Sequence, residues 1–198
     1  MLKIPFLMAA LFVSAQVAAV DVHECDLQAA HPSDPDRVGS AKGSREVVTH
    51  LAIPACRQAV SEYPDEARFH YQLGRAIVYW AGANNADDSE GVASVEQASR
   101  MGHTQAQFVD GLLKAREGRD CETEPLYRAA ADKGLKSARI TYLHYVLSGK
   151  YTDCNLKLAD NSKLDEYLEG ASGQVSGYYE NMLLDALRFQ LGSQEQRL

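Results

Sequence analysis

One pattern is written twice in the middle of this chain. The stretches "SRMGHTQAQFVDGLLKAREGRDC" (99–121) and "ADKGLKSARITYLHYVLSGKYTDC" (131–154) share few identical residues, yet their small and apolar positions fall in step. With Gly102 laid on Gly134 the register is 32 residues, and Ala98 falls on Ala130, Ala106 on Ala138, Phe108 on Ile140 and Leu113 on Tyr145. A slip of one residue then brings Gly118 onto Gly149, Asp120 onto Asp153 and Cys121 onto Cys154. A period in the low thirties is the mark of stacked helical pairs.

The spacing inside each copy predicts helices with two apolar faces. After Gly134, residues Leu135, Ala138, Tyr142, Tyr145 and Val146 share one face, while Ile140, Leu143 and Leu147 form a second. In the earlier copy Ala106, Val109 and Leu113 make one face and Phe108, Leu112 and Ala115 the other. A surface helix carries a single apolar stripe, whereas a helix stacked between neighbours carries two. Ala106 and Ala138 let helix axes approach closely. The connecting helix reads "EPLYRAAADKG" (124–134), with Pro125 suited to a first turn and Gly134 to a left-handed stop. "SVEQASRMG" (94–102) is its counterpart.

Two further units flank these. Residues 55–82 give a helix ended by Pro64 and a second from about 65 to 80; residues 177–192 repeat the small-residue start and glycine stop. Loops are expected near 83–88, 118–120, 149–153 and 170–173. The fold expected is all-α, an α/α solenoid of about 3.5–4 helix-turn-helix repeats over 53–192. Before it lies an irregular N-terminal segment, 20–52, and after it a tail, 193–198.

Residues 1–19 read as a cleavable export signal. One lysine precedes an apolar core from Ile4 to Val13, and Val17-Ala18-Ala19 satisfies the small-x-small rule. The stretch is shorter than the roughly 20 apolar residues of a spanning helix and is interrupted by Pro5, Ser14 and Gln16, so no stable membrane insertion is expected after cleavage. Removing it takes the formal charge from −7 to −8. That acidity, with no basic stripe, argues against nucleic acid. A periplasmic or secreted location is expected.

Export also gives the four cysteines a meaning. An even count in an oxidising compartment predicts two disulfides. Because repeats touch their sequence neighbours, Cys25–Cys56 and Cys121–Cys154 are favoured among the three connectivities. Each would contribute about 3–4 kcal/mol by restraining the unfolded chain. No CxxC or HxxxH spacing argues for a structural metal.

Chemistry is hard to find. There is no nucleophile elbow, phosphate loop or dinucleotide loop, and no cofactor is expected. His70 and His144 read as packed helix residues, His103 as a solvated turn residue and His23 as part of a mobile terminus. Tyrosine recurs along the array at Tyr71, Tyr79, Tyr127, Tyr142, Tyr145, Tyr178 and Tyr179, with Trp80 among them. Such side chains suit helix interfaces first and binding grooves second.

"PLYRAAADKGLKSA" (125–138) resembles the Sel-one-like repeat, a variant of the tetratricopeptide repeat, with Tyr127, Ala129, Ala130, Gly134 and Ala138 at the family's positions. "RFHYQLGRAI" (68–77) looks like the LG-containing first helix of both classes. "CDLQAAHPSDP" followed by "IPACRQAV" is similar to the N-terminal region of exported proteobacterial proteins carrying such repeats. The later copy departs from the pattern, with Leu143-His144 in place of LG. The resemblance implies a scaffold whose first helices line a groove, which places Arg68, Gln72, Arg75, Gln107, Asp110, Lys114, Arg139, Tyr142 and Tyr145 there. The function expected is non-enzymatic binding of a protein or peptide in the cell envelope. The competing expectation is an enzyme, or an accessory module, acting on peptidoglycan-type material.

Overall fold

A computed structural model describes residues 21–174 and 177–195. The export-signal reading of 1–19 and the end of the 193–198 tail therefore lie outside the described residues. Among them the chain forms nine helices and no strand: α1 (Glu24–Ala29), α2 (Thr49–Glu62), α3 (Ala67–Asn84), α4 (Ser89–Arg100), α5 (Thr104–Arg116), α6 (Asp120–Asp132), α7 (Lys136–Leu147), α8 (Asn161–Ser172) and α9 (Tyr178–Glu195). Each helix packs on its sequence neighbours, and α1 with α3 and α7 with α9 also meet.

The written repeat is visible in the backbone. Gly102 and Gly134 take φ of 87° and 88°, and Gly118 and Gly149 both take 74°. These left-handed values favour glycine and close each helix with the same device. The His103 N–H reaches the Ala98 carbonyl and the Leu135 N–H the Ala130 carbonyl, five residues back in each case, at 3.0 and 3.1 Å. Ala98, Ala106, Ala130 and Ala138 are all fully buried, as close helix packing requires.

The backbones of α3 and α4 approach closely. A Cβ on Gly74 would lie 2.7 Å from the Gly91 carbonyl oxygen, and one on Gly91 would lie 3.0 Å from that of Gly74. Between α5 and α6, Gly111 leaves room for the Tyr127 ring, which a Cβ would meet at 2.4 Å. Two larger cores frame these contacts. One joins Cys25, Ala52, Cys56, Ala59, Phe69, Leu73, Ala76 and Ile77. The other gathers Tyr127, Tyr142, Tyr151 and Tyr167 with the leucines of α8 and α9.

Several boundaries differ from those expected. The segment 20–52 is not wholly irregular. It contains α1, started by His23, whose Nδ1 accepts the Cys25 N–H at 3.1 Å while Asp26 accepts the His23 N–H at 2.9 Å. The helix α2 begins at Thr49 rather than near 55, and Pro125 sits one turn inside α6 rather than in its first turn. Gly170 lies within α8, and α9 continues past Gly192. Residues 148–160 form a longer connection than expected. It is held by the Tyr142 hydroxyl, which accepts the Ala159 N–H at 3.1 Å. The cysteine pairs Cys25–Cys56 and Cys121–Cys154 lie at disulfide distance, with Cα separations of 4.6 and 5.3 Å, and among the described residues no cysteine is free.

Candidate functional site

The helices α3, α5, α7 and α9 present side chains to a shared groove. At one end is a cavity of about 330 Å³, walled by Val78, Val95, Phe108, Val109 and Leu112, with Arg75, Tyr79, Gln105 and Ser137 supplying polar groups. At the other end a cavity of about 320 Å³ is walled by Leu112, Ile140, Thr141, His144, Tyr145 and Leu183. Leu112 belongs to both and is 44% exposed. A large aliphatic side chain so open to water, in the middle of an apolar trough, is the feature expected of a binding surface rather than of a core.

The chain's own N-terminal segment closes one end. Its first anchor is Asp26 on α1, which is fully buried. Its carboxylate accepts from Arg68 Nε at 3.1 Å, Gln72 Nε2 at 2.9 Å and the His23 backbone N–H. The second anchor is Arg75. Its Nη1 donates to the Ala29 carbonyl at 2.8 Å and its Nη2 to the Lys42 carbonyl at 2.7 Å, so one guanidinium ties both ends of the 30–42 loop. The third lies at the start of α5, where the Asp36 carboxylate accepts the Thr104 N–H at 2.9 Å.

Arg68, Gln72 and Arg75, expected along an open groove, are therefore covered. They hold the segment in place because a buried carboxylate or guanidinium is tolerated only with such partners. Four more expected groove residues also serve the interior. Asp110 and Lys114 pair with each other at 3.2 Å, and Lys114 reaches Glu96 on α4 at 3.0 Å. Burial alone would lower the Lys114 ammonium's pKa, but Glu96 and Asp110 outweigh it and hold it above its ordinary value. Tyr142 is fully buried and donates to Glu124 at 3.0 Å. Burial, with Ala159 opposing it and the Glu124 charge adding to it, pushes its phenol up to about 12. Arg139 donates to the Ala131 carbonyl at 3.2 Å and lies against Gly170 of α8. Gln107 borders neither cavity. Of the nine residues, only Arg75 and Tyr145 line the groove.

On α5 and α7 the lining combines Phe108, Leu112 and Ile140 from the second apolar stripes with Val109 and Tyr145 from the first. Those stripes were legible; choosing polar residues from the helices obscured them. His144 is exposed on the groove rather than packed, and His103 is buried rather than solvated.

His103 belongs to a group with Asp34 and Asp36 whose ligand atoms lie within 4.8 Å of one another. The donor set does not suit a metal. His103 Nδ1 accepts the Ala106 N–H at 3.2 Å, which leaves the ring proton on Nε2, facing Asp34 Oδ2 at 3.3 Å. A ring in that state has no lone pair to offer there, and Asp36 is spent on the α5 terminus. The Tyr71 ring stacks on His103 at 4.9 Å and completes a capping assembly.

Comparison with protein-family models, with curated proteins and with solved structures found no match. Among the described residues no helix is long and apolar enough to cross a membrane.

Proposed function

We propose that this protein is an exported, non-enzymatic helical-repeat protein, of the Sel-one-like kind, that binds a segment of another protein along the groove of α3, α5, α7 and α9. The observation that carries the reading is the apolar trough itself, two cavities of about 330 and 320 Å³ meeting at half-exposed Leu112. A trough of that size suits the side chains of an extended or helical segment. Its walls belong to helices each packed on its sequence neighbours, so little ordering cost falls on this partner. The glycine closures at equal φ support reading the helical pairs as repeats, and the paired cysteines support an oxidising compartment.

The test replaces Leu112 and Leu183 by glutamate and compares capture of partners from a periplasmic extract. Each side chain is exposed, so folding is retained, with a thermal midpoint within about 2 °C expected from a surface change. Loss of the same captured species in both variants is the expected result. Undiminished capture by both overturns the reading.

A further inference from the structure

The last helix carries two apolar faces, and only one of them has a neighbour. Leu184, Leu187 and Leu191 are buried in the core that α9 shares with α7 and α8. On the opposite face Tyr178 is 76% exposed, Tyr179 79%, Met182 53% and Phe189 77%. Along that face Tyr179, Met182, Ala186, Phe189 and Ser193 follow at steps of three, four, three and four residues. This is the heptad spacing of a helix that packs lengthwise on a second helix. None of the five carries a charge, and the Ser193 hydroxyl is spent on the Phe189 carbonyl at 2.7 Å. Asp185, on the flank of the stripe, is held by Arg188 of the same helix at 3.0 Å.

Two properties of the stripe say what covers it. The first is area. An aromatic side chain has about 150–250 Å² to bury, so three of them at three-quarters exposure leave on the order of 450 Å² open. That is a large apolar patch for a monomer. Two copies laid face to face remove on the order of 1,000 Å², near the lower limit of a specific interface. The second property is order, because the stripe read backwards complements itself. In an antiparallel pair centred near Leu184, Tyr179 meets Phe189 of the second copy and Met182 meets its Ala186. Ring then faces ring at both ends, and a long side chain faces the smallest one in the middle. A parallel pair would set Met182 on Met182 and leave a void where Ala186 meets Ala186. Reciprocal contact, i on j and j on i, is what a two-fold axis demands.

We propose that the outer face of α9 is the interface of a homodimer, made by two antiparallel α9 helices related by a two-fold axis. This goes beyond the groove reading and does not rest on it, since Met182 and Phe189 line neither groove cavity.

Sedimentation velocity on the disulfide-bonded protein tests it across roughly 1–200 μM, the range expected of so small an interface. The mass is expected to rise from one chain to two. Phe189→Asp and Met182→Glu change exposed positions, so circular dichroism is expected to stay unchanged while association weakens by at least about tenfold. Register is tested by mixing Met182→Cys protein with Ala186→Cys protein under mild oxidation. The mixture is expected to cross-link between chains, and Met182→Cys alone far less. Equal cross-linking by Met182→Cys alone overturns the antiparallel assignment. A single-chain mass throughout overturns the inference, as does a dimer that neither charged variant weakens. If the protein stays a single chain but floats with phosphatidylglycerol vesicles, and Phe189→Asp does not, the face meets a lipid surface and the homodimer is refuted. None of these failures touches the Leu112 and Leu183 capture experiment.

Discussion

The two ends of this helical array solve the same packing problem with opposite chemistry. Around α1–α3 the interior contains Asp26, Arg68, Gln72 and Arg75, all under 7% exposed. Around α6–α9 it is built from Tyr127, Tyr142, Tyr151 and Tyr167 with leucines. The difference follows from what covers each helix. A loop without regular structure lies over α3, and its backbone carbonyls and carboxylates need partners, so charged side chains are recruited. Helices cover α7 on both flanks and their backbone groups are already paired, so the interior is mainly aromatic, with its buried carboxylate, Glu124, satisfied by Tyr142 and Arg128. A repeat pattern therefore sets where small residues go, while the covering element decides how polar the interior must be.

The sharpest way to break that contrast is to remove its charged centre. Asp26→Ala is expected to cost about 3–5 kcal/mol, since Arg68 and Gln72 lose a buried carboxylate. Urea unfolding measures it, and a loss under 1 kcal/mol would mean that the loop, not the ion pair, holds the end. Next in size is alkali, which attacks the other end. Burial raises the phenols of Tyr127, Tyr142, Tyr151 and Tyr167 above their ordinary value of 10.0, Tyr142 to about 12. A raised acid favours the folded state below pH 10 and withdraws that support as pH climbs towards 12. Hydrogen exchange at rising pH is expected to show α6–α9 opening before α2, and the reverse order would refute the assignment.

Smaller changes sharpen the comparison. Gly111→Ala is expected to cost about 1–3 kcal/mol by pressing on the Tyr127 ring, read from the denaturation midpoint. Tyr142→Phe is expected to cost about 1–1.5 kcal/mol through its bond to Glu124, far less than Asp26→Ala. The least effect comes from acid. His31 has its pKa lowered by burial and then by Arg75, so it charges more readily when unfolded. Stability is complete above pH 6.5 and falls as pH drops towards the lowered value. His31→Gln is expected to flatten that slope, visible in thermal midpoints taken across the acid range.

The all-helical architecture was legible because glycine and alanine report backbone geometry directly. Gly134 reads as a left-handed stop, Gly102, Gly118 and Gly149 fall in register with the repeat, and Ala106 and Ala138 are small where axes converge. The cysteine pairing was legible because helical pairs touch their sequence neighbours. The groove was not, because Arg68, Gln72, Asp110 and Arg139 look like surface residues at helical spacing. Only the long-range docking of residues 21–42, the crossing of α4 on α5 and the packing of α8 on α7 turn them inward, and none of these leaves a mark at short sequence separation. The boundary at Pro125 failed because tertiary packing extended α6 by a turn ahead of a residue that local preference would place at the start.

The two cysteine bridges also divide the chain mechanically. Each joins residues 31 and 33 positions apart. An extended residue spans about 3.4 Å, so each bridge withholds on the order of 100 Å from any pull on the chain ends. Tension would then be borne by the unbridged stretches: that between Cys56 and Cys121, which contains α3, α4 and α5, and that after Cys154, which contains α8 and α9. Both stretches supply walls of the groove, so a load carried through this protein would be felt first along that groove.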